Sequence, residues 1–255
     1  MSDEMFNLTD ERIQKLRQQQ IDRNSKLVSN DLKTVKCNIC GYESDLEFLN
    51  FNSRPNEICP NCSSIKRVRY YYYYLQNYTD FFKKPQKILH TSPEQGAYEK
   101  FESLFHENYI TSDVYLKKDN IKELIDIQNI PFEDNTFTYI ISLHVLEHVP
   151  DDTKALEEFY RVLQPGGKVI ILIPSLRYLT QTFEDEQINT PELRQRYYKQ
   201  YDHLRFYSVQ GFFDKMEDVG FKVLRNHENI IKEEHPTDIE KYRTGYDPLF
   251  VGIKE

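Results

Sequence analysis

Short apolar runs alternate with helix-like stretches along most of the chain. From residue 87 onward, apolar positions recur with the spacing of buried strands. The predicted strands are Lys87–Leu89, Tyr109–Val114, Leu124–Ile127, Phe137–Leu143, Lys168–Ile173, Phe221–Arg225 and Pro248–Ile253. Strands that alternate with helical stretches are typical of an α/β protein with a doubly wound, mostly parallel sheet. The hydrophobic pattern therefore predicts that fold class for the larger part of the chain.

The helical pattern is clearest at Asp152–Leu163, where Asp151 or Asp152 supplies an N-cap. Pro165-Gly166-Gly167 follows this stretch and is expected to act as its stop signal. A second helix is predicted at Ser208–Val219, directly before a late strand. Residues 65–84 predict a third helix, rich in aromatic side chains. Helices and strands thus follow one another without an internal repeat.

The pattern divides the chain into three parts. Residues 1–35 form a polar arm with a weak helical pattern, and we expect either a frayed segment or a contact within a homo-oligomer. Residues 36–84 hold every cysteine and the aromatic helix. Residues 85–255 form the main domain, with an insertion at 174–207 between its fifth strand and a later helix.

Four cysteines form two Cys-x-x-Cys pairs separated by 18 residues. Two intervening residues allow one turn to present both thiolates to a zinc ion. Because four cysteines fill a tetrahedral site, the expected zinc is structural and not catalytic. Neither pair opens a helix after a strand, so a redox-active motif fits less well. The expected zinc ligands are Cys37, Cys40, Cys59 and Cys62.

Composition narrows the function classes. The chain has 255 residues, a net charge of −8 and 39% hydrophobic residues, which is ordinary for a globular protein. No apolar run reaches the roughly 18 residues that span a bilayer, and the acidic N-terminus lacks a secretory pattern. We therefore expect a cytoplasmic protein with no membrane partner and with reduced thiols. The acidic balance argues against extensive nucleic-acid binding.

One continuous stretch carries a family resemblance. It runs from Asp126 through Pro131-Phe132-Glu133-Asp134-Asn135, a buried strand, His144-Val145-Leu146-Glu147-His148 and the capped helix to Pro174. This stretch resembles the class I S-adenosylmethionine-dependent methyltransferases, which have a Rossmann-like fold. More narrowly, residues 37–255 resemble a bacterial group in which a zinc-knuckle segment precedes the methyltransferase domain.

The resemblance implies a cofactor site at the carboxyl ends of the strands, where doubly wound sheets bind ligands. Asp113 matches the acidic residue that the family places on the two ribose hydroxyls. Asp126 and Ile127 match the position beside the adenine. His144 follows the fourth strand and is expected to border the sulfonium. For the two acidic residues, the alternative is a loop cap or a solvated charge.

The turn after the first strand departs from the family pattern. It reads Leu89-His90-Thr91-Ser92-Pro93-Glu94-Gln95-Gly96, with one glycine where the family usually has several. The narrower group is similar in carrying Pro-Glu at this point. The resemblance therefore implies that His90, Ser92 and Glu94 line the cofactor site, with Glu94 on the cofactor's ammonium group.

The acceptor side is expected in the insertion. Asp202-His203-Leu204-Arg205 resembles an Asp-His-x-Arg signature of the narrower group. His203 is a candidate base because imidazole accepts a proton near neutral pH. Asp202 and Arg205 either orient a carboxylate or phosphate of the acceptor or form an internal salt-bridge network.

The sequence is compatible with three functions. The first is a methyltransferase acting on O or N of a small-molecule, sugar-type (glycan) or nucleotide-linked acceptor. The second is an RNA methyltransferase, since basic residues lie beside five consecutive tyrosines at Lys66–Tyr74 and such a combination binds single strands by charge and stacking; packing of the tyrosines is the favoured alternative. The third is a non-catalytic zinc-stapled binding protein on a degenerate methyltransferase fold.

Overall fold

The computed structural model describes residues 11, 15, 18 and 19 and residues 35–255, except 45–46, 52–53, 116–118 and 226–247. Most of the predicted N-terminal helix lies outside the described residues. The chain forms two compact units. The first comprises Met1–Phe82, Glu94–Leu104 and Lys241–Thr244, and the second comprises Lys83–Pro93, Phe105–Glu240 and Gly245–Glu255.

From residue 35 onward, the described part of the first unit contains two small antiparallel strand pairs and two helices. Strands β1 (Val35–Lys36) and β2 (Glu43–Ser44) form one pair, and β3 (Leu49–Phe51) and β4 (Arg54–Ile58) form the other. Helix α1 (Lys66–Tyr78) follows, and it ends earlier than the predicted limit of residue 84. Helix α2 (Ala97–Phe105), which the hydrophobic pattern did not predict, belongs to this unit. Phe101 of α2 stacks on Tyr72 with ring centroids 5.8 Å apart.

The second unit contains a seven-stranded, mostly parallel sheet, as the pattern predicted. Its order is β12-β13-β9-β8-β5-β6-β7, and only β13 and β12 run antiparallel to their neighbours. The strands are β5 (Ile88–Thr91), β6 (Tyr109–Asp113), β7 (Glu123–Leu124), β8 (Phe137–Leu143), β9 (Leu163–Leu172), β12 (Lys222–Val223) and β13 (Leu249–Ile253). The chain leaves β5 for β6 on one side and returns to β8 on the other. The switch point of the sheet therefore lies between β5 and β8.

The longest strand differs from its prediction. Helix α3 (Asp152–Val162) begins at its cap Asp151, whose side chain accepts a hydrogen bond from the Lys154 amide. The glycines that were expected to stop this helix instead lie inside β9. Gly166 has φ of +79° and donates its amide proton to the Lys254 carbonyl, which keeps the strand paired through the irregularity.

The insertion returns to its starting point. Strand β10 (Ser175–Leu176) pairs in parallel with β11 (Tyr207–Ser208), so the chain between them leaves and rejoins the same region. Helix α4 (Pro191–Tyr197) lies within this excursion. Helix α5 (Val209–Val219) follows β11, with Ser208 as its N-cap. No helix in the described part of the chain combines the length and apolarity needed to cross a membrane.

Candidate functional site

The four cysteines lie in two turns of equal geometry in the first unit. In each turn the amide after the second cysteine donates to the carbonyl of the first, from Gly41 to Cys37 and from Ser63 to Cys59. Both donors adopt positive φ, +76° and +60°. The Sγ atoms of Cys37 and Cys62 are 3.8 Å apart, as are those of Cys40 and Cys59.

These distances fit a tetrahedral metal site. An ion with sulfur ligands at about 2.3 Å separates neighbouring sulfurs by about 3.8 Å, far more than the 2.05 Å or so of a disulfide. The ligand atoms of all four cysteines lie within 4.8 Å of one another. The sequence prediction that these four residues converge is confirmed.

The basic and aromatic side chains of α1 make contacts within the first unit. Arg69 is 1% exposed and donates to the Ser64, Asn56 and Glu57 carbonyls. Arg67 forms an ion pair with Glu94 at 2.7 Å. The consecutive tyrosines at positions 70–74 are at most 7% exposed. The rings and charges needed to grip a nucleic acid are therefore mostly buried.

Glu94 and Gly96 lie in the first unit. Glu94 accepts a hydrogen bond from Arg67, and its assignment to the cofactor's ammonium stays a prediction. Gly96 has φ of +93°, and a Cβ there would lie 2.8 Å from the Ser64 Cβ and 2.9 Å from the Cys62 carbonyl oxygen. The single glycine of this turn is thus required by close packing against the second cysteine turn.

Three predicted cofactor residues follow the carboxyl ends of adjacent strands in the second unit. Ser92 follows β5, Asp113 ends β6 and His144 follows β8. The Ser92 hydroxyl donates to Asp113 Oδ2 at 2.8 Å, and the Tyr115 amide donates to Oδ1 at 2.9 Å. A carboxylate offers about four acceptor positions, more than these two donors use.

Two of these turns hold non-glycine residues in the left-handed region. Ser92 has φ of 46° and His144 has φ of 53°. Such conformations cost free energy and concentrate at functional sites, where the surrounding structure enforces them. Here the Ser92 amide donates to the Ser112 carbonyl and the His144 amide to the Leu172 carbonyl. The neighbouring strands therefore fix both turns at the same edge of the sheet.

The adenine-side prediction falls on a tight turn. Asp126 is exposed, and its Oδ1 accepts from the Gln128 amide at 2.9 Å, so it caps the turn. Ile127 is 5% exposed and packs in the main core with Leu89 and Phe137. Asp126 therefore caps a loop, which is one of the two roles that the sequence left open for it, and its carboxylate stays accessible to solvent.

His90 lies inside the sheet. It is fully buried, and its Nδ1 is 2.7 Å from the Tyr109 hydroxyl. Burial lowers the pKa of its imidazole from 6.5 to about 3. The imidazole is therefore neutral in the folded protein at physiological pH.

This burial predicts a specific loss of stability in acid. Because the folded pKa of His90 is depressed, the unfolded chain takes up a proton first as pH falls below about 6.5. Between pH 7 and pH 5, the free energy of unfolding of the wild type should fall by about 2 kcal/mol more than that of His90→Gln. Urea titrations at both pH values measure this difference, and equal losses in the two proteins would contradict the assignment.

Arg205 clamps the insertion to the segment after β8. Its side chain is 1% exposed, and each of its five N–H groups has an acceptor. Glu184 accepts at 2.6 and 2.9 Å through its two oxygens. The other three donors bind the carbonyls of Leu146, Val149 and Pro150. These contacts favour the internal network over an acceptor-binding role for Arg205.

Asp202 and His203 lie beside Glu147 and His148. Asp202 Oδ2 is 3.3 Å from His148 Nδ1, and the His148 and His203 rings are 4.8 Å apart between centroids. Burial lowers the pKa of His203 to about 4. Burial alone would lower the pKa of His148 as well, but hydrogen bonding to Asp202 and the charge of Glu147 raise it overall.

The family model described as "Methyltransferase domain" matches residues 107–171, which include β6, β8 and α3. Residues 107–171 are therefore similar to a methyltransferase domain, and they lie in a doubly wound sheet of the kind that binds nucleotides.

The relatives match this chain over only part of their length. Demethylmenaquinone methyltransferase of Staphylococcus epidermidis is 37% identical over 91 residues, which cover 36% of this chain and 31% of the relative. An uncharacterised protein of Methanocaldococcus jannaschii is 28% identical over 120 residues, covering 47% of this chain and 55% of the relative. The chain thus spans about half or less of the length of these curated relatives.

The fold also resembles solved structures. An S-adenosylmethionine-dependent methyltransferase from Mesorhizobium loti shares 12% identity, with a TM-score of 0.44 and coverage of 70% of this chain and 99% of the other.

Sequence reasoning missed three features of the second unit. Thr91 and Ser142 are cross-strand neighbours at the switch point, with hydroxyl oxygens 3.0 Å apart. Tyr115, two residues after Asp113, is 85% exposed, although it is a large aromatic side chain. Glu147 is fully buried. The only signal in the sequence was a polar residue interrupting each apolar run.

Proposed function

We propose that this protein is a methyltransferase that binds S-adenosylmethionine at the carboxyl edge of its sheet. The acceptor is proposed to be an oxygen or nitrogen of a small-molecule, sugar or nucleotide-linked compound. The observation that carries the proposal is Asp113, a carboxylate held by Ser92 and the Tyr115 amide at the strand edge beside the switch point. Doubly wound sheets bind nucleotides at this position.

The residues of this edge fit the cofactor. Asp113 is proposed to accept hydrogen bonds from the two ribose hydroxyls. Exposed Tyr115 and the turn at Asp126 and Ile127 are proposed to border the adenine. His144 is proposed to lie near the sulfonium, because it follows the strand next to the switch point. When bound, the cofactor supplies a methyl group on an electrophilic sulfonium.

The protein's own part in the transfer is proposed to be positioning and exclusion of water. Arg205 and Glu184 hold the insertion against the segment after β8, and this segment begins at His144. The insertion is therefore proposed to border the acceptor site.

Calorimetric titration tests this function. S-adenosylmethionine and S-adenosylhomocysteine should each bind with about one site per chain, whereas NAD and ATP at the same concentrations should give no heat of binding. Absence of heat for the first two compounds would support the non-catalytic alternative. A salt-sensitive mobility shift with RNA would support the RNA alternative, which the burial of Arg69 and of the tyrosines disfavours.

We further propose that the four cysteines hold a structural zinc ion, as in the bacterial zinc-knuckle group. The sulfur spacing supports this ion, and the Ser64 hydroxyl lies 3.2 Å from Cys62 Sγ, where it supports a bound thiolate.

Metal analysis of the purified protein should find about one zinc per chain at the cysteines. Cys59→Ser should lose most of this zinc and melt at a lower temperature, since metal binding and folding are coupled in such modules. A folded wild-type protein without zinc would contradict the proposal.

A further inference from the structure

A buried carboxylate lies beside two histidines in the second unit, apart from the cysteines. Glu147 is fully buried, and within the described part of the chain neither of its side-chain oxygens has a hydrogen bond. The Nδ1 atom of His144 lies 3.2 Å from Glu147 Oε1. An ionised carboxylate removed from water without hydrogen bonds is costly unless a cation compensates it.

The histidines present nitrogen ligands at the same place. The Nδ1 atom of His203 is buried and has no hydrogen bond among the described residues. One ligand atom from each of Glu147, His148 and His203 lies within 4.8 Å of the others. Protein ligands bind zinc and similar ions at about 2.0–2.2 Å, so two ligands of one ion are at most about 4.4 Å apart and small side-chain rotations would bring the three groups onto one ion.

A neighbouring carboxylate orients one of the histidines. His148 Nδ1 is 3.3 Å from Asp202 Oδ2, which leaves Nε2 as its second nitrogen. Metal-binding histidines commonly donate their other ring N–H to a carboxylate in this way, which fixes the tautomer and strengthens the ligand.

The backbone holds the two ligand-bearing segments together. Glu147 and His148 lie in a one-turn helix, and the Leu204 amide donates to the Glu147 carbonyl at 2.8 Å. Arg205 adds its three bonds to carbonyls of the same helix and of the two residues after it. The side chains of His148 and Asp202 remain 30% and 38% exposed, so the cluster opens to solvent on one side.

We propose that Glu147, His148 and His203 bind a divalent transition-metal ion that receives a hydroxyl oxygen of the methyl acceptor. Two imidazoles and one carboxylate are a donor set for zinc, iron, nickel or manganese, and three protein ligands leave positions for other oxygens. In this assignment His203 is a metal ligand and not a base.

The proposed ion selects the acceptor class. A divalent cation lowers the pKa of a coordinated hydroxyl, so the acceptor is an alcohol or a phenol. The hydroxyl proton passes to water, the oxygen electron pair forms the new C–O bond, and the pair of the breaking C–S bond stays on sulfur. This assignment of the acceptor rests on the proposed methyltransferase function, whereas metal binding at the cluster does not.

Titration of untagged, zinc-loaded protein with Ni²⁺ tests the site. We expect one binding event per chain that is retained in Glu157→Gln, an exposed glutamate on α3. The Ni²⁺ dissociation constant should rise at least about tenfold in Glu147→Gln and in His203→Ala. His148 is partly exposed, so His148→Gln serves as the test if the two buried variants fold poorly. It should show the same rise in the Ni²⁺ dissociation constant.

S-adenosylhomocysteine titrations of the same samples separate the two proposals. Unchanged affinity for this nucleoside in the Ni²⁺-deficient variants would place the defect at the metal site. Two results would overturn the metal site and leave the methyltransferase function intact. In the first, the wild type binds no Ni²⁺ other than at the cysteines. In the second, Glu147→Gln binds Ni²⁺ as tightly as the wild type does. Ni²⁺ binding without nucleoside binding would overturn the function and retain the site.

Discussion

Asp113→Ala is expected to raise the dissociation constant of S-adenosylhomocysteine about 100-fold. The carboxylate is held in place by Ser92 and the Tyr115 amide, and it is proposed to accept both ribose hydroxyls. A 100-fold change is about 2.7 kcal/mol, near the lower end of what two hydrogen bonds to a charged group contribute at about 1.5–3 kcal/mol each. Calorimetry at constant salt measures the effect.

Glu123→Ala provides the matched control for this variant. Glu123 is an exposed carboxylate on β7, the strand adjacent to β6, and its removal takes away the same charge. Its affinity for the nucleoside should match that of the wild type within about twofold, because an exposed charge contributes little. Equal affinity of Asp113→Ala and the wild type would remove Asp113 from the site.

Arg205→Met is expected to cause the largest loss of stability among single substitutions in the insertion. It leaves Glu184 without its bidentate partner and removes one donor from each of three carbonyls, of which the Leu146 carbonyl keeps the Tyr207 hydroxyl. The Glu184 side chain is 46% exposed and can be solvated, so the loss comes mainly from the backbone carbonyls and is expected to be about 2–3 kcal/mol. For a chain of this size, such a loss lowers the melting temperature by roughly 4–12 °C.

Arg196→Met is the control for Arg205→Met. Arg196 is exposed on α4 in the same insertion, so the variant should melt within about 2 °C of the wild type. If Arg205 instead binds the acceptor, Arg205→Met should melt like the control, and that result would contradict the internal network.

The sequence was most informative where both faces of a strand are buried. The predicted limits of β8 agree with the structure because five of its seven residues from Tyr139 onward form an unbroken buried run. The prediction for β5 was shifted, since His90 and Thr91 are polar although the sheet buries both. Their polar groups are satisfied by Tyr109 and Ser142, which lie far along the chain.

Local apolar spacing misled the predictions in two places. Ile125 and Ile127 reach the core from a turn, so their alternation with Asp126 imitated a strand. Helix α2 escaped notice because it buries only Ala97 and Phe101. In both cases burial is decided by distant packing partners, which a periodic pattern does not contain.

The site was predictable in part for the same reason. The cysteine spacing specifies a cluster without knowledge of the fold, and the end of a predicted strand locates Asp113. Glu147 and His203 are 56 residues apart in the sequence. They come together through the hydrogen bond from Arg205 to the Leu146 carbonyl and the one from the Leu204 amide to the Glu147 carbonyl. No local sequence pattern predicts these long-range contacts.

Hydrogen exchange with saturating S-adenosylhomocysteine tests the central claim most directly, because it locates the bound nucleoside. We expect slower exchange in peptides that contain Ser92, Asp113 and His144, the residues at the carboxyl ends of β5, β6 and β8. Peptides covering α5, on the same unit, should exchange at unchanged rates. Unchanged exchange at all three strand ends, or slowing confined to the cysteine turns, would contradict a nucleoside site at this edge of the sheet.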